Sequence, residues 1–86
     1  MPNVTKIKFY GTSWCPGSRR AQKLMTNKGI DFEFINIDRD KEASEYVIKV
    51  NKGYRSVPTI VFPDGDILVE PSNAKLEKKL SELSYE

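Results

Sequence analysis

The order of apolar and polar residues along the chain predicts seven elements of secondary structure. Residues Val4 to Tyr10 alternate and are rich in β-branched and aromatic types, which predicts a first strand that ends at the turn sequence GTS. Apolar residues recur at helical spacing from Pro16 to Asn27, and Gly29 follows as a stop signal. Cys15, the only cysteine, is therefore expected at the start of the first helix.

A strand and a second helix are predicted next. Residues Asp31 to Asp38 carry apolar side chains on both faces, which predicts a central strand of a sheet. Asp38 or Asp40 is expected to cap the following helix. Its predicted buried face consists of Ala43, Tyr46, Val47 and Val50.

A hairpin and a third helix complete the pattern. Two short apolar runs, Thr59 to Phe62 and Asp66 to Val69, are joined by the turn sequence PDG, which predicts an antiparallel pair of strands. Ser72 is the expected N-cap of the last helix. The apolar stripe of that helix is Leu76, Leu80 and Leu83.

This order, β-α-β-α-β-β-α, restricts the architecture. Two strands joined through a helix are parallel with a right-handed crossover, the hairpin adds antiparallel strands, and three amphipathic helices cover both faces of the sheet. We therefore predict one α/β domain over residues 1–86, a three-layer sandwich around a four-stranded mixed sheet.

Composition and charge agree with a small globular domain. The chain has 86 residues, of which 38% are hydrophobic and 30% charged. Fourteen basic and twelve acidic residues are scattered along it, so we expect no nucleic-acid partner and no membrane association. No apolar run approaches the roughly 20 residues of a membrane span, and the first residues do not resemble a signal peptide. We expect a cytoplasmic protein, and a lone cysteine fits a reducing compartment.

The position of Cys15 suits thiol chemistry. The first turn of a helix offers unpaired backbone N–H groups and the positive end of the helix dipole, both of which stabilise a thiolate. Pro16 at the first helical position loses no hydrogen bond and fixes the entry of the chain into the turn. The alternative is a small buried hydrophobe, but the polar sequence PGSRR that follows Cys15 favours a working thiol.

A second feature lies before the third strand, in the sequence RSVPTIVF. Val57 precedes a proline and is held extended, and Pro58 is a candidate for a cis peptide bond. Such a turn leaves the backbone of Val57 free to pair with an extended ligand. The alternative is an ordinary trans proline at the first residue of a strand.

Together with the order of elements, the sequences WCPGS, SVPT and FPDGDILVEPSN resemble the glutaredoxin branch of the thioredoxin fold, especially its mycoredoxin-like and NrdH-type members. The resemblance covers nearly the whole chain and implies a thiol-disulfide oxidoreductase. It implies that Cys15 is the attacking thiolate in a motif completed by Pro16, Gly17 and Ser18. It also implies that Pro58 is a cis proline beside which Val57 offers its backbone to the bound thiol.

Further site residues follow from the same resemblance. Trp14 and Tyr10 are placed to form walls of the site, with packing in the core as the alternative. Arg55 is a candidate partner for a ligand carboxylate, and the alternative is a solvated loop charge. The helix start at Ser72 and Asn73 offers N–H groups to a ligand carboxylate.

The chain departs from the family in two places. Ser18 stands where dithiol members have cysteine, and serine cannot resolve a mixed disulfide. The expected cycle therefore uses an external reductant, which is glutathione, another low-molecular-weight thiol or a dedicated reductase, and the expected substrates are disulfide-bonded or S-thiolated proteins. Ser18 is either natural or a replacement introduced to trap the intermediate. The second departure is the absence of the Gly-Gly turn that holds glutathione in many members, which leaves the identity of the thiol open.

Two other functions stay open beside the oxidoreductase. The Cys-x-x-Ser arrangement resembles monothiol glutaredoxins that hold an iron-sulfur cluster between two protomers, although Pro16 replaces the glycine of their motif. The second of these functions is that of a redox-inactive thioredoxin-fold module that only binds partners. With no histidine and one cysteine we expect no metal site of the histidine and cysteine type. No phosphate-binding glycine motif is present, so we expect no nucleotide cofactor. We also expect no tightly bound cofactor and a monomer.

Overall fold

The predicted order of elements is confirmed in a computed structural model, which describes residues 6–82. The strands are β1 (Ile7–Gly11), β2 (Phe32–Asn36), β3 (Thr59–Val61) and β4 (Ile67–Val69). The helices are α1 (Pro16–Asn27), α2 (Lys41–Val50) and α3 (Asn73–Glu82). The predicted strand start at Val4 and the last leucine of the third stripe, Leu83, lie outside the described residues.

The four strands form one mixed sheet in the order β2-β1-β3-β4. β1 pairs with β2 in parallel, whereas β1 with β3 and β3 with β4 are antiparallel, as predicted. The prediction of a central position for β2 was wrong, because β2 is an edge strand. Phe34 packs on one face of the sheet and Ile35 on the other. Both faces of β2 are buried because helices cover both sides of the sheet. This burial does not depend on how many strands are hydrogen-bonded to β2.

Helices cover both faces of the sheet, which confirms the three layers. α1 and α3 lie on one face, and α2 lies on the other. The larger core consists of Ile7, Phe9, Ala21, Met25, Ile30, Ile60, Phe62, Leu76 and Leu80. The smaller core consists of Tyr10, Ile37, Ala43 and Val47.

Local signals in the sequence fix the ends of the helices. The Asp40 carboxylate accepts a hydrogen bond from the Ala43 N–H at 3.0 Å, so Asp40 rather than Asp38 caps α2. The Ser72 hydroxyl accepts one from the Lys75 N–H at 3.2 Å at the start of α3, as predicted. Gly29, which follows α1, has a φ angle of +73°, a conformation that glycine adopts without steric cost.

A buried lysine ties α3 to the hairpin. Lys79 donates to Asp64 at 2.7 Å and to Asp66 at 2.5 Å, and its ammonium lies 5.6 Å from the centre of the Phe62 ring. Hydrogen bonds to Asp64 and then to Asp66 raise the pKa of Lys79, which keeps the lysine charged. The pairing ties the turn between β3 and β4 to α3, and residues 70–72 connect β4 to α3.

Candidate active site

Cys15 is the N-cap of α1. Its backbone is extended, with φ −78° and ψ 121°, and its carbonyl accepts the first helical hydrogen bond, from the Arg19 N–H at 3.0 Å. Pro16 occupies the first helical position, as predicted. The thiol is free and half-buried. The cysteine thus lies where the unpaired N–H groups of the first turn converge.

The loop before β3 packs against the cysteine. The Val57–Pro58 peptide bond is cis, as predicted. The Cys15 thiol donates to the Val57 carbonyl with Sγ and O 3.8 Å apart. A Cβ added at Gly17 would lie 3.5 Å from Pro58 Cδ and 3.8 Å from Cys15 Sγ, so this glycine lies between the proline and the sulfur. Within residues 6–82 the Val57 N–H donates to no protein acceptor.

The surroundings of Cys15 favour its thiolate. Desolvation by burial raises the pKa of Cys15, but hydrogen bonds from the Ser18 N–H, the Ser18 hydroxyl and the Gly17 N–H lower it further than burial raises it. The negative charge of Glu70 adds a smaller contribution that raises the pKa. The net pKa lies below the ordinary value of a thiol, as expected for a cysteine at a helix N-terminus.

Ser18 is fully buried beneath the cysteine. It has 0% exposure, and its hydroxyl has no partner at ordinary hydrogen-bond geometry among the described residues. A Cβ added at Gly11 would lie 2.8 Å from Ser18 Oγ, so the end of β1 packs directly against this hydroxyl. A buried donor without an acceptor costs about 1–3 kcal/mol. The Cys15 thiolate is the acceptor through which this hydroxyl lowers the pKa of the thiol.

Trp14 is held beside the cysteine by an acidic residue at the end of β2. Its indole Nε1 donates to Asp38 at 2.7 Å, while 64% of the residue stays exposed, so Trp14 is not part of the core. Arg55 donates to the other Asp38 oxygen at 2.7 Å and to the Ile37 carbonyl at 3.2 Å. The Arg55 Nε also donates to the Ser44 hydroxyl at 3.1 Å. Arg55 is therefore an ion-paired residue and not an isolated solvated charge.

The other predicted site residues are placed as follows. Tyr10 packs in the smaller core, 8% exposed, with its ring centre 5.1 Å from that of Tyr46, which agrees with the core alternative. Ser72 is exposed at the start of α3. Binding of a ligand carboxylate by Arg55 or by Ser72 stays a prediction.

Two acidic residues of the site, Asp38 and Glu70, were not predicted there. Asp38 follows β2, and because β1 and β2 are parallel, their carboxyl ends meet at the edge of the sheet that carries Cys15. The β-α-β order was thus an available signal for Asp38. Glu70 comes near Cys15 through a hydrogen bond from its N–H to the Pro58 carbonyl at 2.8 Å, for which the sequence offers no local signal.

Residues 6–82 contain neither a cluster of side chains suited to a metal ion nor a membrane-spanning helix. No group of three or more histidine, cysteine, aspartate or glutamate side chains within residues 6–82 is arranged to hold a metal ion. None of the three described helices is long and apolar enough to cross a membrane.

Comparison with known proteins identifies the family. The family model described as Glutaredoxin matches residues 7–68. Mycoredoxin 1 from Corynebacterium glutamicum is 38% identical over 84 residues, which cover 98% of this chain and all of the relative. The crystal structure of a glutaredoxin from Archaeoglobus fulgidus superposes with a TM-score of 0.70 at 30% identity, covering 88% of this chain and 86% of the other. The structure of NrdH-redoxin from Escherichia coli superposes with a TM-score of 0.72 at 27% identity, covering 86% of this chain and 93% of the other. The chain belongs to the glutaredoxin family.

Proposed function

We propose that this protein is a thiol-disulfide oxidoreductase in which Cys15 is the nucleophile. The observation that carries the proposal is the position of Cys15, half-buried at the N-cap of α1 and facing the Val57 carbonyl across the cis proline. The lowered pKa of its thiol increases the fraction of thiolate, which is the attacking species. Membership in a redox family supports the same chemistry.

The proposed cycle uses one protein thiol and two exchange steps. The Cys15 thiolate attacks the small-thiol sulfur of an S-thiolated protein, and the substrate sulfur leaves as a thiolate that takes a proton from water. A second molecule of the small thiol, as thiolate, then attacks the adduct on Cys15. This step forms the symmetrical small disulfide and returns the Cys15 thiolate, so the electron pair that reduces the substrate comes from the incoming small thiolate. Ser18 provides no sulfur for an internal disulfide.

The residues around the sulfur have separate roles in this proposal. Val57 offers its unpaired N–H and its carbonyl to the extended part of the bound thiol. Pro58 and the exposed ring of Trp14 flank the ligand, and Pro16 fixes the entry of the chain into α1. Two residues bind a ligand carboxylate at the margin: Arg55 and Ser72.

Partners and location follow from the chemistry. The substrates are S-thiolated or disulfide-bonded proteins, and the reductant is glutathione, another low-molecular-weight thiol or a dedicated reductase. We expect the protein to act as a monomer in the cytoplasm. NrdH-redoxin from Escherichia coli is a glutaredoxin-like protein with a thioredoxin-like activity profile. Ser18 disfavours that profile here, because a protein with one active-site thiol cannot release a mixed disulfide by forming an internal one.

The proposal is tested with a peptide that carries one S-glutathionylated cysteine. We expect the wild-type protein with excess glutathione to release the free peptide thiol, followed by mass spectrometry. The Cys15→Ser variant should be slower by about 10³-fold or more, because the nucleophile is removed. A Ser81→Ala variant on the exposed surface of α3 is the control. Equal rates for wild type and Cys15→Ser, with both folded by circular dichroism, would exclude the proposed role of Cys15.

A further inference from the structure

Glu70 adopts a backbone conformation that is rare for a residue with a side chain. Its φ angle is +49°, in the left-handed region, directly after β4. Residues other than glycine occupy this region at a steric cost, and such positions concentrate at functional sites. The conformation is held by the hydrogen bond from the Glu70 N–H to the Pro58 carbonyl at 2.8 Å.

This hydrogen bond places Glu70 beside the cysteine. Pro58 follows Val57, whose carbonyl is 3.8 Å from Cys15 Sγ. The charge of Glu70 reaches the sulfur: desolvation is the largest contribution that raises the pKa of Cys15, and the Glu70 carboxylate adds to it. Glu70 is exposed and forms no ion pair within 4.0 Å among residues 6–82.

No basic side chain among residues 6–82 forms an ion pair with Glu70 or contributes to the pKa of Cys15. Asp38 is neutralised by Arg55 at 2.7 Å. Arg19, one turn along α1, lines a separate cavity with Ser13, Gln22 and Phe34. Lys75 lines the same 430 Å³ surface cavity as Glu70 but does not pair with it. Glu70 is therefore a carboxylate without an ion-pair partner among residues 6–82, and its charge acts on the Cys15 sulfur.

We infer that Glu70 is a specificity-determining residue that selects the small thiol exchanging with Cys15, favouring thiols with cationic or neutral groups near the sulfur and disfavouring anionic ones. The inference rests on the proposed function and specifies the charge of the small thiol that exchanges with Cys15. In each exchange the Cys15 thiolate attacks a disulfide, one S–S bond forms as another breaks, and the leaving group departs as a thiolate. A cationic group on the incoming molecule is attracted to Glu70 during this attack, and a carboxylate is repelled.

The test uses three small symmetrical disulfides that differ in charge. They are cystamine, which is dicationic, bis(2-hydroxyethyl) disulfide, which is neutral, and 3,3′-dithiodipropionate, which is dianionic. The rate of adduct formation on Cys15 is measured by mass spectrometry at one pH. We expect the wild-type rates to fall in that order, and the difference to shrink as salt is added.

The decisive quantity is the ratio of the cystamine rate to the dithiodipropionate rate within one variant, because a change in the amount of thiolate cancels in this ratio. In Glu70→Gln the ratio should fall about five- to tenfold. Glu70→Asn is a second variant, since asparagine tolerates the left-handed region. Glu77→Gln is the matched control, because it removes the same charge from an exposed position of α3 in a cavity shared with Arg20 and Lys23.

The outcomes separate the inference from the proposed function. An unchanged ratio in both Glu70 variants, or an equal fall in Glu77→Gln, would overturn the role of Glu70 while leaving Cys15 as the nucleophile. Failure of the wild-type protein to form an adduct with any of the three disulfides would overturn the proposed function and the inference with it.

Discussion

Replacing Ser18 with cysteine is expected to create a dithiol enzyme that releases its own mixed disulfides. Ser18 is fully buried beneath Cys15, three residues along the first turn of α1. A thiol there attacks the adduct on Cys15 within one molecule, where effective concentrations far exceed the millimolar level of an external thiol. We expect release of bound thiol without added reductant to accelerate by about 10²-fold or more. The measurement is the mass of the protein after reaction with one equivalent of glutathione disulfide.

The wild-type protein should keep a stable glutathione adduct in this experiment, whereas Ser18→Cys should lose the adduct and become lighter by the two hydrogens of an internal disulfide. Ser81→Cys is the control for a second thiol, since residue 81 is exposed on α3. A stable adduct on Ser18→Cys, in a folded protein, would show that position 18 does not face the reactive sulfur.

Removing the Ser18 hydroxyl alone is expected to slow Cys15 at low pH. Burial raises the pKa of Cys15, and the hydrogen bonds from the Ser18 N–H and hydroxyl are the largest of those that lower it. Ser18→Ala removes one donor to the thiolate, so the pKa should rise and less thiolate should be present below it. A hydrogen bond to a charged group is worth about 1.5–3 kcal/mol, so alkylation at pH 6 should slow by about tenfold or more.

The control for this prediction is the neighbouring buried hydroxyl. Thr12 is also 0% exposed, and its hydroxyl also has no partner among the described residues. Hydrogen bonding from Thr12 does not contribute to the shift at Cys15. Thr12→Val should therefore leave the dependence of the alkylation rate on pH unchanged. If Ser18→Ala and Thr12→Val show the same dependence of the alkylation rate on pH, the Ser18 hydroxyl does not stabilise the thiolate.

The fold was predictable because each element carries a local signal. Pro16 and Gly29 delimit α1, and the turn PDG specifies the hairpin, so the order of elements followed directly. The position of β2 at the edge was not predictable from its residues. The apolar pattern of a strand records which faces are covered, and the order of strands depends on pairings between segments distant in sequence.

The candidate site was predictable in part for the same reason. Cys15 and Pro58 are marked by their own sequence contexts, at a helix start and before a strand. The partner of Trp14 and the approach of Glu70 depend on contacts across 24 residues and on a backbone hydrogen bond between distant loops. Side chains that act through such contacts carry no local pattern, which is why two acidic residues of the site emerged only with the fold.

The role of Cys15 as a working thiolate is tested most directly by its rate of alkylation by iodoacetamide as a function of pH, with a short cysteine-containing peptide measured alongside. We expect the rate to rise with pH through an inflection at lower pH than that of the peptide, because hydrogen bonds from Ser18 and Gly17 outweigh burial and hold the pKa of Cys15 below its ordinary value. An inflection at or above that of the peptide would contradict a working thiolate at Cys15 and favour a redox-inactive module.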